Sequence, residues 1–333
     1  MNPQDRQDRK EKKMKKILSI ALTLCLILGL AACGSNGNEE KTSWTIGVCQ
    51  LVQHPALDKA TQGFKDAVIE GLGEANVTFI EQDASGEPAN CTTIVNDFLS
   101  RDVDLIMANA TPALQAAAAA TADIPILGTS VTHYAPALDI SDWTGTVGGN
   151  ISGTSDLAPL DQQAAMIKEW FPDAKKVAIL FCNSEANSVF QAQEVAGFLS
   201  EMGIESQNFT FTDTSDVASV TLQACNFADV IYIPTDNVAA SNAEAIANIV
   251  LTENKPVIAG EGELCKGCGV ASLSIDYYDL GVATGKMAVR ILKEKADIST
   301  MPIEFAPEFS KFFNADICEK LGLTPLEGYT ALE

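Results

Sequence analysis

The segment after Phe181 carries four polar side chains that could bind a small charged molecule: Ser184, Glu185, Asn187 and Ser188. It lies between the apolar run KVAILFC and residues with the apolar spacing of a helix. Free N–H groups at a helix start, with hydroxyl and amide groups beside them, can bind a carboxylate. Ser and Asn also serve as helix caps, so a purely structural role stays open. A cap needs one such side chain, and four therefore favour a ligand.

A second polar segment, Thr235, Asp236 and Asn237, follows the apolar run VIYIP. Asp236 could cap the next helix, where a negative charge is favourable. A carboxylate at this position could equally accept hydrogen bonds from a ligand ammonium group. The two segments together predict a site for a zwitterion, with donors for its carboxylate and Asp236 for its amine.

Alternating strands and helices occur twice along the chain in the same order. The strand-like run TIGVCQL precedes a helical pattern and then NVTFIEQDAS, and KVAILFCN precedes a helical pattern and then IESQNFTFTD. This alternation predicts an α/β fold with two doubly wound parallel-sheet lobes. Ligands of such sheets bind beyond the carboxyl ends of the strands, so we expect a ligand cleft between the lobes. A length of 333 residues also suits two lobes.

The charge distribution excludes several kinds of partner. Residues 34–333 hold 15 Lys or Arg and 41 Asp or Glu, a net charge of −26. Such an acidic body repels phosphate backbones and anionic lipid head groups. We therefore expect no nucleic-acid partner and no electrostatic docking to a membrane.

The amino-terminal residues predict export and a lipid anchor. Basic residues precede the apolar run ILSIALTLCLILGL, which is too short to span a membrane comfortably and indicates a signal peptide. The sequence LAAC that follows resembles the lipobox of bacterial lipoproteins, which implies cleavage before Cys33 and lipidation of that residue. Residues 34–43 would form a flexible tether. Met14 would give a more ordinary start for such a signal.

Seven cysteines lie beyond the lipobox, and their odd number and scattered spacing argue against a disulfide framework. Cys265 and Cys268 differ because only Lys and Gly separate them. A tight turn and an extracytoplasmic location would allow a reversible disulfide between them on an exposed loop. Free thiols are the alternative.

Enzymatic motifs are scarce. The chain lacks a G-x-S-x-G nucleophile elbow, a phosphate-binding G-x-x-x-x-G-K-[ST] loop and a dinucleotide G-x-G-x-x-G motif. Its two histidines, His54 and His133, lack metal-ligand spacing. We expect no cofactor, no metal and no catalytic residue.

From Trp44 to about Gly328 the chain resembles the solute-binding lipoproteins of ABC importers of the tryptophan/tyrosine-binding type. The segments HPALD, ATPALQAA, NSEANS, IPTDN and IDYYDLG have that family's order and spacing. The resemblance implies a type I periplasmic-binding-protein fold, an aromatic amino acid as ligand, and permease and ATPase partners. It supports the two polar segments and adds Thr111 and Asp276, while His133 and Tyr134 replace the usual Asp-Pro after Thr132.

These observations predict a monomeric, extracytoplasmic binding protein attached to the membrane only through its lipid anchor. We expect residues 44–154 and 277–300 to form one lobe, and residues 155–276 and 301–333 to form the other. Thr132 and Gln50, in strand-end loops, complete the candidate ligand-binding residues. A sensory module for a membrane signalling partner and an extracytoplasmic enzyme that uses the same cleft are the two alternatives.

Overall fold

The computed structural model describes residues 41–306 and 308–332. The predicted signal peptide, Cys33 and most of the predicted tether lie outside these residues. Within the described part of the chain, no helix combines the length and the apolar character needed to cross a membrane.

The predicted α/β fold with two parallel-dominated sheets is confirmed. All neighbouring strands of the first sheet are parallel. Its strands, in chain order, are β1 (Trp44–Gln50), β2 (Val77–Asp83), β3 (Leu105–Asn109), β4 (Ile126–Val131), β5 (Ile151–Ser155) and β11 (Glu304–Phe305). They lie in the spatial order β11-β5-β4-β3-β1-β2. The reversal of strand order around β1 and β3 creates a crevice at their carboxyl ends.

The second sheet repeats this arrangement and adds two strands that run antiparallel to the others. Its strands are β6 (Lys176–Cys182), β7 (Glu205–Phe211), β8 (Val230–Ile233), β9 (Val257–Ala259), β10 (Ala271–Ser274), β12 (Ser310–Phe313) and β13 (Thr330–Ala331). Their spatial order is β13-β12-β10-β9-β8-β6-β7, and the pair of β10 and β12 is antiparallel, whereas β12 and β13 are parallel to each other. The equivalent crevice therefore lies at the carboxyl ends of β6 and β8.

Twelve α-helices connect the strands and cover the sheets within the described residues. They are α1 (Pro55–Leu72), α2 (Pro88–Ser100), α3 (Thr111–Ala120), α4 (Tyr134–Ala137), α5 (Leu160–Trp170), α6 (Ala186–Glu201), α7 (Val217–Phe227), α8 (Asn237–Ser241), α9 (Ala243–Thr252), α10 (Gly262–Cys268), α11 (Tyr277–Leu292) and α12 (Ala315–Leu321). Separate buried apolar clusters pack against the two faces of each sheet.

The chain passes between the sheets after β5, before α11 and after β11. Helix α11 packs tightly against α1 of the first lobe, where a Cβ atom on Gly281 would lie 2.0 Å from the carbonyl oxygen of Ala60. Glycine is required for that approach. Strand β11 pairs with β5 in the first sheet, although the sequence prediction grouped residues 301–333 with the second lobe.

Candidate functional site

A small cavity lies between the carboxyl ends of the two sheets. Its volume is about 10 Å³, which is room for the centre of roughly one water molecule. The residues that line it are His54, Ala56, Leu57, Ser130, Thr132, Asp156, Asn187, Thr235, Asp236, Asn237, Ala240, Glu261 and Tyr277. Because they come from both lobes and leave little space, the cleft is closed in this structure.

Contacts across the cleft maintain the closed arrangement. His54 Nε2 lies 3.3 Å from Asn237 Oδ1 of the opposite lobe, and Lys59 forms an ion pair with Glu263. The His133 ring lies 5.0 Å from the ring of Phe190 in the second lobe. A small-molecule ligand can enter only when these contacts separate.

Five of the predicted ligand residues line the cavity: Thr132, Asn187, Thr235, Asp236 and Asn237. Two further predicted residues, Glu185 and Ser188, are buried directly behind them, where Glu185 Oε2 accepts a hydrogen bond of 2.6 Å from Asn237 Nδ2. The structure thus brings the two polar segments of the sequence together at one site.

The remaining predicted residues lie elsewhere. Ser184 donates to the carbonyl oxygen of Thr212 and lines a different cavity. Asp276 is exposed, caps α11 and borders an open groove of about 460 Å³ outside the closed cavity. Gln50 donates to Asp58 Oδ1 and lines a surface groove, and Thr111 is buried at the start of α3.

Asp236 caps the next helix, as the sequence analysis allowed, and also binds a distant backbone group that the sequence could not show. Its Oδ1 accepts a hydrogen bond of 2.8 Å from the N–H of Ala239, which caps α8, and its Oδ2 accepts one of 2.7 Å from the N–H of Cys182 at the end of β6. Burial raises the pKa of Asp236, and these N–H groups oppose that shift. Both carboxylate oxygens are therefore already bonded to the backbone.

Glu185 connects the two polar segments in the same way. Its carboxylate accepts hydrogen bonds from Asn187 Nδ2 and from the N–H groups of Asn237 and Val238, besides the bond from Asn237 Nδ2. Burial and the nearby charge of Asp236 raise the pKa of Glu185 to about 8, against the effect of these donors. Glu185 thus fixes the orientation of Asn237 rather than facing the cavity.

Five polar lining residues were not predicted from the sequence as ligand-binding: His54, Ser130, Asp156, Glu261 and Tyr277. Each lies at the carboxyl end of a strand, or a few residues after it, on the side of the sheet edge that borders the cleft. Ser130 has a left-handed φ of 53° within a register shift of β4, and this backbone is strained for a residue other than glycine.

Hydrogen-bonding groups without partners concentrate at this cavity. Among the described residues, eight buried side-chain polar atoms have no partner, and four of them belong to lining residues: His54 Nδ1, Ser130 Oγ, Asp156 Oδ1 and Asn187 Oδ1. None of the eight belongs to a residue that lines the larger 460 Å³ groove. Because buried polar atoms are normally paired, the four atoms make the closed cavity the candidate ligand site.

The protonation of these atoms indicates which ligand they suit. Asn237 donates through Nδ2 to Glu185, so its Oδ1 accepts from His54 Nε2–H, and His54 Nδ1 is then an acceptor. Burial lowers the pKa of His54, which keeps the ring neutral. Three of the four atoms are thus acceptors, and the Ser130 hydroxyl can donate or accept. This set matches a ligand group rich in N–H donors.

The aromatic residues near the cleft have mixed roles. Tyr134 is buried and donates to the carbonyl oxygen of Thr154, so it supports the first sheet. His133 contacts Trp143 as well as Phe190. Only Tyr277 of this group lines the cavity, where its hydroxyl donates to Asp156 Oδ2 at 3.0 Å.

The prediction for Cys265 and Cys268 is wrong in its structural setting. Both residues lie on α10, not on an exposed loop, and both are fully buried free thiols. Glu261 caps this helix, and Asn314 Nδ2 donates to the carbonyl oxygen of Cys265. No group of His, Cys, Asp or Glu in the described residues could hold a metal ion.

Comparison with known proteins relates this geometry to transport. A family model described as ABC transporter substrate binding protein matches residues 45–330. A tyrosine-binding protein of Clostridioides difficile (strain R20291) is 32% identical over 301 residues, which cover 88% of this chain and 87% of that protein.

Two solved structures are similar over most of the chain. The first is an ABC domain from Streptococcus pneumonia in complex with L-Trp, with 30% identity and a TM-score of 0.82, covering 87% of this chain and all of that one. The second is the ligand-free, open structure of a substrate-binding protein with adhesive properties from Clostridium difficile, with 32% identity and a TM-score of 0.66, covering 87% and 99%. On these findings the chain belongs to the family of ABC transporter substrate-binding proteins.

Proposed function

We propose that this protein is the lipid-anchored, extracytoplasmic receptor of an ABC importer, and that it binds an aromatic amino acid between its lobes, at the residues that line the closed cavity. The lobes must separate further than in this structure to hold it, because the cavity has a volume of only about 10 Å³. The observation that carries the proposal is the concentration of four unpaired buried polar atoms at that cavity. A ligand with both an amine and polar oxygen atoms would satisfy them. The chain's membership of the family of ABC transporter substrate-binding proteins supports delivery of the ligand to a permease with its ATPase.

Two relatives support an aromatic amino acid as the ligand. One is named a tyrosine-binding protein, and the other was solved with L-Trp, at 32% and 30% identity to this chain. The closed cleft also agrees with a ligand-binding role. At nearly equal identity, this chain is more similar to the L-Trp complex, with a TM-score of 0.82, than to the ligand-free, open structure, with 0.66.

Ligand identification tests the binding function. We expect mass spectrometry of the purified protein, denatured to release small molecules, to detect an aromatic amino acid. Calorimetry of the refolded, ligand-free protein with each of the twenty amino acids should then give the tightest binding for Trp, Tyr or Phe. Tightest binding of an aliphatic or charged amino acid would contradict the aromatic assignment, and the absence of any binding would contradict the function.

The lipid anchor is tested independently of the ligand. We predict that Cys33→Ala releases the protein from the membrane fraction and leaves its affinity for the ligand unchanged. Two acyl chains or their equivalent are needed for stable attachment, and a body with a net charge of −26 offers no electrostatic substitute. Fractionation with immunodetection measures the release. A processed Cys33→Ala protein that still sediments with membranes would contradict the anchor.

A further inference from the structure

We propose that Asp156 binds the ammonium group of the ligand, and that the cleft therefore selects ligands by their amine more strictly than by their carboxylate. This inference rests on the proposed function, because it concerns the same cavity and names the group that selects the ligand there. It also moves the ammonium site from Asp236, where the sequence had suggested it, to a residue of the segment that connects the lobes.

The position of Asp156 suits this role. It follows β5 directly, where the chain leaves the first sheet for the second, and its side chain is 4% exposed. Its Oδ2 accepts the hydrogen bond from Tyr277, whereas its Oδ1 has no partner. A buried carboxylate is costly unless it is paired with a positive charge or fully hydrogen-bonded. An ammonium group beside Oδ1 would supply both.

The two other carboxylates at the cavity are already satisfied. Both oxygens of Asp236 accept backbone N–H groups, as described above. Glu261 accepts from the N–H of Glu263 at 2.6 Å and from the N–H of Leu264, and so caps α10. Among the described residues that line the cavity, Asp156 is therefore the only acid with an oxygen that lacks a donor.

The charge of the cavity favours a cation over an anion. Three of its described lining residues are acids, namely Asp156, Asp236 and Glu261, and none is Lys or Arg. A ligand that carries only a carboxylate would bring a negative charge towards these acids without a cationic partner. His54 Nδ1 and Asn187 Oδ1 are further unpaired acceptors for N–H groups. Loss of the amine should therefore weaken binding more than loss of the carboxylate.

The described residues around Asp156 provide no positive charge for its carboxylate, so a cationic ligand group would stabilise it. Burial raises its pKa to about 6, and the hydroxyl groups of Tyr277 and Thr132 oppose this shift. The titratable groups that face it are Tyr277, Tyr134 and Glu261, and burial raises the pKa of each. No positively charged described residue contributes to the pKa of Asp156. A bound ammonium group would lower that pKa.

Calorimetry with three related ligands tests the assignment: L-tryptophan, tryptamine, which lacks the carboxylate, and indole-3-propionate, which lacks the amine. L-tyrosine, tyramine and 3-(4-hydroxyphenyl)propionate form a second series. For the wild type we expect the amino acid to bind tightest and the amine to bind more tightly than the amine-free acid. Asp156→Asn should lower the affinity for the amino acid and for the amine by about thirtyfold or more, because one partner of a buried charge pair is lost.

The same substitution should leave the weak affinity for the amine-free acid unchanged or improve it, since a negative charge is removed. Asp161→Asn, an exposed substitution in the first turn of α5, is the matched control and should change none of the affinities. The melting temperature of ligand-free Asp156→Asn should equal or exceed that of the wild type, because the amide oxygen can still accept from Tyr277 and the buried negative charge is removed. Asp156→Ser provides a second variant if the amide folds poorly.

The outcomes separate the two proposals. If the wild type binds neither L-tryptophan nor L-tyrosine, the proposed function fails and this inference fails with it. If the wild type binds one of them and Asp156→Asn binds it equally well, only the role of Asp156 is overturned. Equal weakening of the amine and the amine-free acid by Asp156→Asn would likewise overturn it, because that result indicates a general distortion of the cavity.

Discussion

Replacement of Asp236 by alanine should destabilise the protein far more than the loss of an ordinary helix cap. Two buried backbone groups depend on this side chain: the N–H of Ala239 at the start of α8 and the N–H of Cys182 at the end of β6. Loss of the cap costs about 1 kcal/mol. A buried N–H group left without a partner costs about 1–3 kcal/mol more. We therefore expect the free energy of unfolding to fall by about 3 kcal/mol.

Asp276 provides a matched comparison for this prediction. It also caps a helix and also accepts two backbone N–H groups, from Tyr278 at 2.8 Å and from Asp279 at 3.2 Å, but it is exposed to solvent. Water can replace its hydrogen bonds, so Asp276→Ala should cost only about 1 kcal/mol. The two variants differ mainly in burial, so the difference between them measures the extra cost of leaving the buried N–H groups of Ala239 and Cys182 without partners.

Urea denaturation of the ligand-free proteins at pH 7, followed by circular dichroism, is the appropriate assay. Asp236→Asn should lower the free energy of unfolding by an intermediate amount. Its amide oxygen can still cap α8, but its NH₂ group cannot accept the hydrogen bond from the N–H of Cys182. Equal losses for Asp236→Ala and Asp276→Ala would refute the reasoning. A loss of 1 kcal/mol or less for Asp236→Ala would show that water or a shift of the backbone satisfies Cys182.

The site residues of the second lobe could be predicted from the sequence, because these polar residues follow strongly apolar strands. Strands β6 and β8 consist almost entirely of apolar residues, so their ends are visible in the sequence. Asn187 and the residues Thr235–Asn237 were identified by that pattern. The same pattern could not distinguish a ligand-binding carboxylate from a structural one, because the second partner of Asp236, besides the N–H of Ala239, is the N–H of Cys182, 54 positions away.

Asp156 was missed because the strand before it is not apolar. Strand β5 has the sequence ISGTS and yet is entirely buried. Its polar side chains are paired inside the protein: Ser152 donates to the carbonyl oxygen of Met301, and Thr154 bonds with Thr284. A buried strand of Ser, Thr and Gly resembles a loop in sequence, and only the tertiary partners of these residues make its burial favourable.

The setting of Cys265 and Cys268 depends on tertiary contacts in the same way. The Lys-Gly spacer suggested a turn, since Gly is unfavourable inside a helix. The structure continues a helix through these residues because Glu261 caps its start and its last turn packs on the core of the second lobe. Gly in a helix interior is less favourable than Ala by about 1 kcal/mol, and this penalty is too small to outweigh those contacts.

Two further predictions concern these thiols and the pH dependence of binding. Cys265 and Cys268 should resist alkylation in the native protein because both are buried, and both should react after denaturation without reductant; mass analysis that finds a cystine instead would contradict the free thiols. The affinity for the amino acid should weaken as the pH falls through about 6, because burial raises the pKa of Asp156 to about 6 and its protonated form cannot pair with an ammonium group. The sign follows from linkage: the bound ligand lowers this pKa, so binding releases a proton below pH 6 and is strongest above it. Between pH 7.5 and pH 5 the loss should be about tenfold, one factor of ten for each pH unit below the pKa. Glu261, whose pKa burial raises to about 7, also lines the cavity, so the comparison must include Asp156→Asn, which should remove the part of the pH dependence centred near 6. Calorimetry in matched buffers measures both profiles, and an unchanged profile in Asp156→Asn would assign the titration to a group other than Asp156.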